Sequence, residues 1–262
     1  MKHRISPSAR FIRLKQFVVF MLCNRLADKF LRMIYRGRIP FHRTCIEVPR
    51  VNEPSVAAWL YWGFYESAEV RFVQNFVEDS LPVVELGSSL GGVTCQIARR
   101  LSGRQKLICV EANPSLIPIL KRNLEFNAPS QPVVYYHGAV DYTSAKSSKF
   151  NIADDNLVSS RYGAGPVTEV PSIRLSDIIL KEQLADYVLV ADIEGAEAEI
   201  FFEDSDALDK CRLMIVELHE TSYQSRLYSV QDLLAYIKSS LGFRLLCQHG
   251  SVCVFHRHDS NL

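Results

Sequence analysis

Short apolar runs alternate with amphipathic stretches from residue 81 onward, and this alternation restricts the fold more than any other feature of the sequence. The runs PVVELG, KLICVEANP, PVVYYHGAV, YVLVADI and CRLMIVELHE predict five strands. Between the first three, GGVTCQIARRL and SLIPILKRNLEFN space their apolar residues as helices do. Strands that alternate with helices form a mostly parallel sheet with helices on both faces. We therefore predict an α/β domain.

Three further stretches complete the predicted architecture. WLYWGFYESAEVRFVQNFV predicts a helical lead-in to the sheet, and FRLLCQ and SVCVFHR predict an antiparallel strand pair near the C-terminus. The polar interval 141–170 has too little apolar periodicity for a core element, so we predict a long loop or a peripheral hairpin there. Loops of such length in compact domains are often functional.

The first fifty residues differ in charge from the rest of the chain. Residues 1–50 hold 12 of the 30 Lys and Arg residues but only 2 of the 29 acids, which leaves 18 basic and 27 acidic residues in 51–262. We interpret 1–50 as a basic N-terminal extension and 51–262 as the main domain. Within the extension, residues 10–36 alternate apolar and basic residues, as a helix on an anionic bilayer does. The alternative is a helix that packs on the domain and exposes a basic face.

The sequence also argues against secretion. The apolar run at 17–23 is too short to span a bilayer, Arg25 and Lys29 follow it at once, and no convincing cleavage site comes after it. The seven cysteines include no CxxC pair and most lie in apolar stretches, which predicts reduced core residues. We expect a cytoplasmic protein, either free or attached peripherally to the inner face of the membrane. The sequence does not determine whether the protein is a monomer or an oligomer.

The stretch ELGSSLGGVT is a glycine-rich turn between the first predicted strand and the helix after it. A dinucleotide site would need GxGxxG, but Ser89 stands where the middle glycine belongs. Glu85, Gly87 and Gly91 instead follow the acid-x-Gly-x-x-x-Gly spacing of S-adenosylmethionine sites. Glu111, at the end of the second strand, is placed to accept hydrogen bonds from the ribose of either cofactor. The turn therefore favours S-adenosylmethionine over a nicotinamide, with a plain tight turn as the remaining alternative.

Acidic residues lie where three of the predicted strands end. These residues are Glu85, Glu111 and Asp192, and ligands of a parallel sheet bind beyond the carboxyl ends of its strands. In VLVADIEGAEAEIF, Glu194 and Glu197 follow Asp192. Alternation along a strand would set Asp192 and Glu194 on one side. We expect Glu197 to cap the next helix or to form a salt bridge.

In their order and spacing, these motifs resemble the FkbM-type methyltransferase family. The resemblance covers roughly residues 60–220 and rests on GFYESAEVRF, VVELGSSLGG, VEANP, HGAV, RLSDII, ADIEGAE and IVELHE. Its most specific part is DIEGAE followed about twenty residues later by ELH. The chain departs from the commoner family wording by Glu for Asp at 85 and by Ser-Ser for Ala-Asn at 88 and 89. We expect neither departure to prevent cofactor binding. The basic N-terminal extension lies outside the resemblance.

The resemblance implies a class I methyltransferase sheet of Rossmann-like type and methyl transfer from S-adenosylmethionine. It also implies an acceptor hydroxyl on a sugar or on a polyketide-type natural product. We predict an O-methyltransferase of a sugar or glycan, such as a surface polysaccharide or a lipid-linked precursor, with a polyketide-type acceptor as the alternative. The expected cofactor-binding residues are Glu85, Gly87, Ser88, Ser89, Gly91, Glu111, Ala112, Asn113, Ala139 and Asp192.

Methyl transfer to an alcohol needs a group that takes up the hydroxyl proton. His219, just past the fifth strand, is the first candidate because an imidazole pKa of about 6.5 suits a base at neutral pH. The alternative to a catalytic role is that His219 is an ordinary surface histidine after a strand. Asp192 and Glu194 are the other catalytic candidates, one facing the cofactor and the other orienting the substrate hydroxyl or His219. A divalent metal would also find suitable ligands in Asp192, Glu194, Glu217 and His219. Their spacing is not diagnostic, and we expect no metal.

Two other classes of function remain as alternatives. The basic extension suggests a nucleic-acid methyltransferase, but enzymes that methylate base amines commonly carry Asn or Asp, then Pro-Pro and an aromatic, after the fourth strand. Here the sequence is Asp-Ile-Glu-Gly. Acids at the active edge would also repel phosphates, so we expect no nucleic-acid partner. The third alternative is a non-catalytic scaffold, and the intact candidate residues argue against it.

Overall fold

The computed structural model of this chain describes residues 21–49, 55–143, 146–151 and 167–258. Its helices are α1 (Arg25–Ile34), α2 (Val56–Tyr61), α3 (Ser67–Phe76), α4 (Gly92–Leu101), α5 (Ile117–Asn127), α6 (Leu175–Glu182), α7 (Glu197–Glu203), α8 (Ser205–Leu208) and α9 (Val230–Ser240). Its strands are β1 (Arg38–Phe41), β2 (Thr44–Glu47), β3 (Val83–Leu86), β4 (Leu107–Glu111), β5 (Val133–His137), β6 (Ala139–Val140), β7 (Ser147–Asn151), β8 (Val167–Ile173), β9 (Tyr187–Ala191), β10 (Cys211–Glu217), β11 (Thr221–Tyr223), β12 (Arg226–Tyr228), β13 (Phe243–His249) and β14 (Val252–Arg257).

A seven-stranded sheet forms the centre of the described structure, in the order β13-β14-β10-β9-β3-β4-β5. The pairs from β10 to β5 are parallel, whereas β14 is antiparallel to both β10 and β13. The predicted α/β sheet with an antiparallel C-terminal pair is therefore confirmed. The chain runs outward from β3 to β5 and then returns to β9 on the other side of β3. Such a reversal opens a crevice at the carboxyl ends of the strands, where ligands bind.

Helices bury both faces of this sheet. Along β9, Val188 and Val190 belong to the core that contains residues of α1 to α5. Leu189 and Ala191, which alternate with them, belong to the core that contains residues of α6 to α9. A strand buried on both faces is apolar at every position, which is why these strands stand out in the sequence as continuous apolar runs.

Two predicted segments are confirmed with added detail. The aromatic-rich lead-in is helical, but it is broken between α2 and α3. In the polar interval, β7 and β8 pair in antiparallel fashion, so the hairpin alternative is the correct one for its described part. Phe150 of β7 and Val170 of β8 are buried together with Ala139. Residues 152–166 of this interval lie outside the described residues, as do residues 1–20 of the extension and residues 50–54 of the linker before α2.

The second half of the N-terminal extension belongs to the domain core. The hairpin β1–β2 packs on α5, where Cys45 N donates to Asn127 Oδ1 at 2.9 Å and Glu47 N donates to Asn123 Oδ1 at 2.7 Å. The apolar hairpin residues Ile39, Phe41 and Ile46 are at most 2% exposed. The charge boundary at residue 50 therefore does not coincide with a packing boundary. All seven cysteines are free and four are buried. Within the described residues, no helix has the length and apolar character needed to cross a bilayer.

We predict that Asn123→Ala lowers the free energy of unfolding by about 2–3 kcal/mol, because the buried amide serves backbone groups that would lose their partners. Its Oδ1 accepts from Glu47 N, and its Nδ2 donates to the Leu90 carbonyl at 2.8 Å. Urea denaturation measures the change. Arg122→Ala is the matched control, since the neighbouring Arg122 forms an exposed ion pair with Glu47 and should contribute under about 1 kcal/mol. Equal losses in the two variants would contradict the anchoring role of Asn123.

Candidate functional site

An open cavity of about 690 Å³ lies at the reversal of strand order, beyond the carboxyl ends of β3, β4 and β9. Ligands of parallel α/β sheets bind at this position. The residues that line it are Glu66, Gly87, Ser89, Val110, Glu111, Ala112, Leu116, Gly138, Ala139, Val140, Phe150, Asp192, Ile193, Glu194 and Ala196. The structure thus brings together six predicted cofactor-binding residues: Gly87, Ser89, Glu111, Ala112, Ala139 and Asp192.

Glu111 holds its carboxylate at one side of this cavity. Its Oε2 accepts from Ser89 N at 2.7 Å and its Oε1 accepts from Asn113 N at 2.6 Å. Burial raises the pKa of Glu111, and these backbone donors oppose the rise. Each carboxylate oxygen has a second lone pair, so the group can also accept hydrogen bonds from two ligand hydroxyls. This geometry suits the ribose role that the sequence predicts for Glu111.

Four residues expected to bind the cofactor do not line the cavity: Glu85, Ser88, Gly91 and Asn113. Glu85 is buried in β3, and its Oε2 accepts from Ser88 Oγ at 2.8 Å. Burial raises the pKa of Glu85 to about 7, against the hydrogen bonds from Thr94 and Ser88. Glu85 and Ser88 therefore shape the turn from within the protein. Asn113 acts through its backbone, which fixes Glu111.

Two glycines of the turn are required by close packing of the chain. A Cβ at Gly87 would lie 1.9 Å from the carbonyl oxygen of Asp192, and Gly87 has a φ of +86°. A Cβ at Gly91 would lie 2.9 Å from Leu120 Cδ1, and its φ is +94°. Both positions demand glycine on steric and conformational grounds. Gly87 brings the turn after β3 against the end of β9, whereas Gly91 lets α4 approach α5.

The turn after β9 is held by the buried carboxylate of Glu197. Its Oε1 accepts from Ile193 N at 3.0 Å, and its Oε2 accepts from Gly195 N at 3.0 Å. Oε1 also lies 3.1 Å from His219 Nδ1. Glu197 thus forms the salt bridge expected as one alternative from the sequence, whereas its backbone donors lie in the turn ahead of α7 and not in the helix itself. It fixes both the turn and the imidazole.

His219 lies among three carboxylates, and its protonation differs from the sequence-based expectation. Its Nε2 is 3.5 Å from Glu194 Oε2 and 3.9 Å from Asp192 Oδ1. Burial alone would lower the pKa of His219, but the hydrogen bond to Glu197 and the charges of Glu197, Asp192 and Glu194 outweigh it and raise the pKa to about 9. The imidazole is therefore protonated at neutral pH. An ordinary pKa near 6.5, on which the general-base assignment rested, does not hold here.

Asp192 and Glu194 face the cavity beside His219, as predicted. Their side chains are 28% and 33% exposed. Burial, followed by the charges of Glu217, Glu194 and Glu197, raises the pKa of Asp192 well above its ordinary value. Burial also raises the pKa of Glu194. We refer to Asp192, Glu194, Glu197 and His219 as the acid–histidine cluster.

Part of this cluster has the composition of a metal site. Across the described part of the chain, Asp192, Glu197 and His219 form the one group of three such residues whose ligand atoms lie within 4.8 Å of one another. Both oxygens of Glu197 already accept backbone hydrogen bonds, and one also contacts His219. Glu197 is thus already engaged in supporting the turn and the imidazole. The expected absence of a metal stays a prediction.

Sequence reasoning assigned no role to three residues around the cavity. Glu66 and Phe150 line it. A Cβ at Gly92 would lie 2.8 Å from the ring of Tyr65, which places Tyr65 against the start of α4. Tyr65 and Glu66 belong to the stretch GFYESAEVRF, so a signal for them was present. Phe150 lies in the polar interval, where no apolar pattern marks it.

The described residues fit S-adenosylmethionine. Of the four buried side-chain atoms that find no hydrogen-bond partner among them, Ser89 Oγ and Asp192 Oδ1 belong to residues that line the cavity. Orphaned atoms of this kind need a ligand or water. The described cavity lining also contains four carboxylates and no Lys or Arg, which suits a ligand that carries positive charge. Val110, Leu116 and Val140 supply apolar walls.

Comparison with solved structures gives distant similarities. A methyltransferase from Geobacter sulfurreducens is 13% identical, with a TM-score of 0.46 over 81% of this chain and 91% of that one. M. jannaschii TYW2 in complex with AdoMet is 13% identical, with a TM-score of 0.43 over 84% and 85%. At this level of similarity we base no conclusion on either structure.

Sequence-level comparison is more informative. No curated protein shows significant similarity to the chain. The model of the methyltransferase FkbM domain, however, matches residues 89–245, which is more than half of the chain. The match includes the end of the turn before α4, Glu111 and the acid–histidine cluster. The chain therefore belongs to the FkbM methyltransferase family and uses S-adenosylmethionine as its cofactor.

Proposed function

We propose that this methyltransferase transfers the methyl group to a hydroxyl of a sugar or glycan. The observation that carries the proposal is the acid–histidine cluster beside the cofactor cavity. Asp192, Glu194 and His219 are each between 25% and 33% exposed, so a substrate can reach them. Carboxylates accept and an imidazolium donates hydrogen bonds, which together match the several hydroxyls of a sugar.

The same cluster disfavours a nucleic-acid substrate. Asp192 and Glu194 place negative charge at the cavity, and none of the described residues that line it is Lys or Arg. Phosphate groups would be repelled, since nucleic-acid affinity depends largely on basic contacts to the backbone. A neutral polyol meets no such repulsion.

Within this proposal, Asp192 takes up the proton of the substrate hydroxyl. When bound, S-adenosylmethionine supplies an electrophilic methyl group on a sulfonium. A carboxylate with a raised pKa is a stronger base than an ordinary one, and Oδ1 of Asp192 has no hydrogen-bond partner among the described residues. His219, already protonated, orients and stabilises the carboxylates next to it. Glu197 keeps the imidazole in place.

We predict that the purified protein transfers labelled methyl groups to a carbohydrate fraction and that Asp192→Asn lowers the rate by about 100-fold or more, as loss of a general base does. Scintillation counting of fractionated acceptors measures the transfer. His219→Gln should retain more activity than Asp192→Asn, because the imidazolium positions the base and does not itself take up the proton.

Two results would contradict this assignment. Label that enters only RNA or protein would exclude a glycan acceptor. A fully active Asp192→Asn variant would place the base elsewhere. Cofactor binding by each variant, measured by calorimetry with S-adenosylhomocysteine, separates loss of chemistry from loss of the cofactor site.

The raised pKa of His219 gives a second prediction, about stability. Folding raises this pKa from about 6.5 to about 9, so the stabilising contribution is fully present below pH 6.5 and is lost as pH rises through 9. The free energy of unfolding should fall by about 2–3 kcal/mol across this window, measured by urea denaturation. His219→Asn should flatten the fall. An unchanged slope in that variant would show that His219 is not the group that titrates.

We also propose that α1 attaches the protein to an anionic membrane surface. Four of its apolar side chains point outward: Leu26, Phe30, Met33 and Ile34 are between 51% and 80% exposed. Leu26, Phe30 and Met33 recur at helical spacing and form one stripe. Exposed basic residues accompany this stripe, namely Arg25, Lys29, Arg36 and Arg38. An apolar stripe with basic neighbours suits the surface of an anionic bilayer, and attachment would bring the enzyme to a lipid-linked glycan.

We predict that the full chain sediments with vesicles of phosphatidylcholine and phosphatidylglycerol, and that the double variant Leu26→Glu/Phe30→Glu loses this binding. Salt should release the wild type, since it screens the attraction. Leu180→Glu is the matched control, because Leu180 is equally exposed at 80% but lies on α6. Equal binding by all three proteins, or binding insensitive to salt, would contradict the proposal. Deletion of residues 1–40 is a poorer test because it removes Ile39 from the core.

A further inference from the structure

Glu66 has an unusual backbone conformation at the cofactor cavity. It precedes α3 with φ 40° and ψ 41°, in the left-handed region that a residue other than glycine seldom adopts. Such a conformation costs on the order of 1–3 kcal/mol and often accompanies function. As the N-cap residue of α3, Glu66 makes no side-chain capping hydrogen bond. The side chain is thus not used to start the helix, and Glu66 lines the cavity.

The charged groups near Glu66 are acidic. Burial raises the pKa of its carboxyl well above the ordinary value, and the charges of Asp192 in the turn after β9, Glu69 in α3 and Glu85 in β3 each raise this pKa further. Tyr65 is the neighbouring group that counteracts this rise. A carboxylate in such surroundings is stabilised by a cation that comes with the ligand.

The cofactor carries two cationic groups that differ in what they need. The sulfonium has no N–H and cannot donate an ordinary hydrogen bond. The α-ammonium group of the methionine part has three N–H donors, so it can bind more than one carboxylate at once. Glu111 is matched to the ribose and Asp192 to the substrate hydroxyl, which leaves Glu66 as an acceptor for the ammonium group within the same cavity.

We propose that Glu66 binds the α-ammonium group of the cofactor. The ammonium group then supplies the positive charge that the acidic surroundings of Glu66 lack. This role makes Glu66 a determinant of binding for the amino acid half of the cofactor, separate from the ribose site at Glu111. The proposal rests on the cofactor and is independent of the identity of the methyl acceptor.

The test uses two ligands that differ in one group. Calorimetry on the full chain would compare S-adenosylhomocysteine with its analogue in which hydrogen replaces the α-ammonium group. Glu66→Gln should weaken binding of S-adenosylhomocysteine by about 10- to 100-fold, the usual effect of losing a charge-assisted hydrogen bond. It should change the affinity for the analogue by less than about 2-fold, because the analogue has no ammonium group to lose.

Two control variants distinguish this role from a general disturbance of the cavity. Glu111→Gln should lower the affinity for both ligands, since both contain the ribose. Glu69→Gln should leave both affinities unchanged, because Glu69 is a buried carboxylate of the same helix that does not line the cavity. Thermal unfolding without ligand should show Glu66→Gln at least as stable as the wild type, since the substitution removes a repelled carboxylate.

Three outcomes would overturn the proposal. If Glu66→Gln lowers the affinity for both ligands by the same factor, Glu66 shapes the cavity and does not bind the ammonium group. Unchanged affinity for S-adenosylhomocysteine would place the ammonium group elsewhere. If the wild-type protein binds neither ligand, the cavity is not the cofactor site. If it binds S-adenosylhomocysteine but methylates no glycan, only the proposed acceptor is contradicted.

Discussion

The backbone contact between Gly87 and Asp192 determines how the two halves of the site meet. Only a hydrogen atom fits between Cα of Gly87 and the Asp192 carbonyl, because a Cβ would lie 1.9 Å from that oxygen. Asp192 N also donates to the Leu86 carbonyl at 3.0 Å. The turn that leads to Ser89 is therefore held directly against the turn that carries the acid–histidine cluster. This contact therefore fixes the position of Ser89 relative to the acid–histidine cluster.

Around this contact, the carboxylates fall into two electrostatic groups. Glu111 and Glu197 receive backbone N–H donors on both oxygens, so their negative charge is compensated within the protein. Asp192 and Glu66 lack comparable compensation, and their pKa values are raised. Burying a carboxylate without a partner is unfavourable. The protein thus accepts a cost in the free state that a cationic ligand can offset.

The sequence predicted the sheet and much of the cavity because both depend on local patterns. Apolar runs mark strands that are buried on both faces, and Glu111 lies at a strand end where ligands bind. The sequence could not show that Glu85 is buried away from the cavity, since a strand-end acid can point into the core as well as into the crevice. The pKa of His219 was also beyond prediction, because it depends on Glu197, which is 22 residues away. Phe150 and the packing of the β1–β2 hairpin on α5 are tertiary facts with no local signature.

The hairpin also has a consequence for the order of folding. Its contact with α5 joins Cys45 to Asn127, a separation of 82 residues. During synthesis from the N-terminus, β2 therefore emerges well before the helix on which it packs. A contact this distant in sequence closes slowly, so the hairpin stays incompletely covered until α5 has formed. Apolar surface that is exposed for a time favours aggregation of the nascent chain.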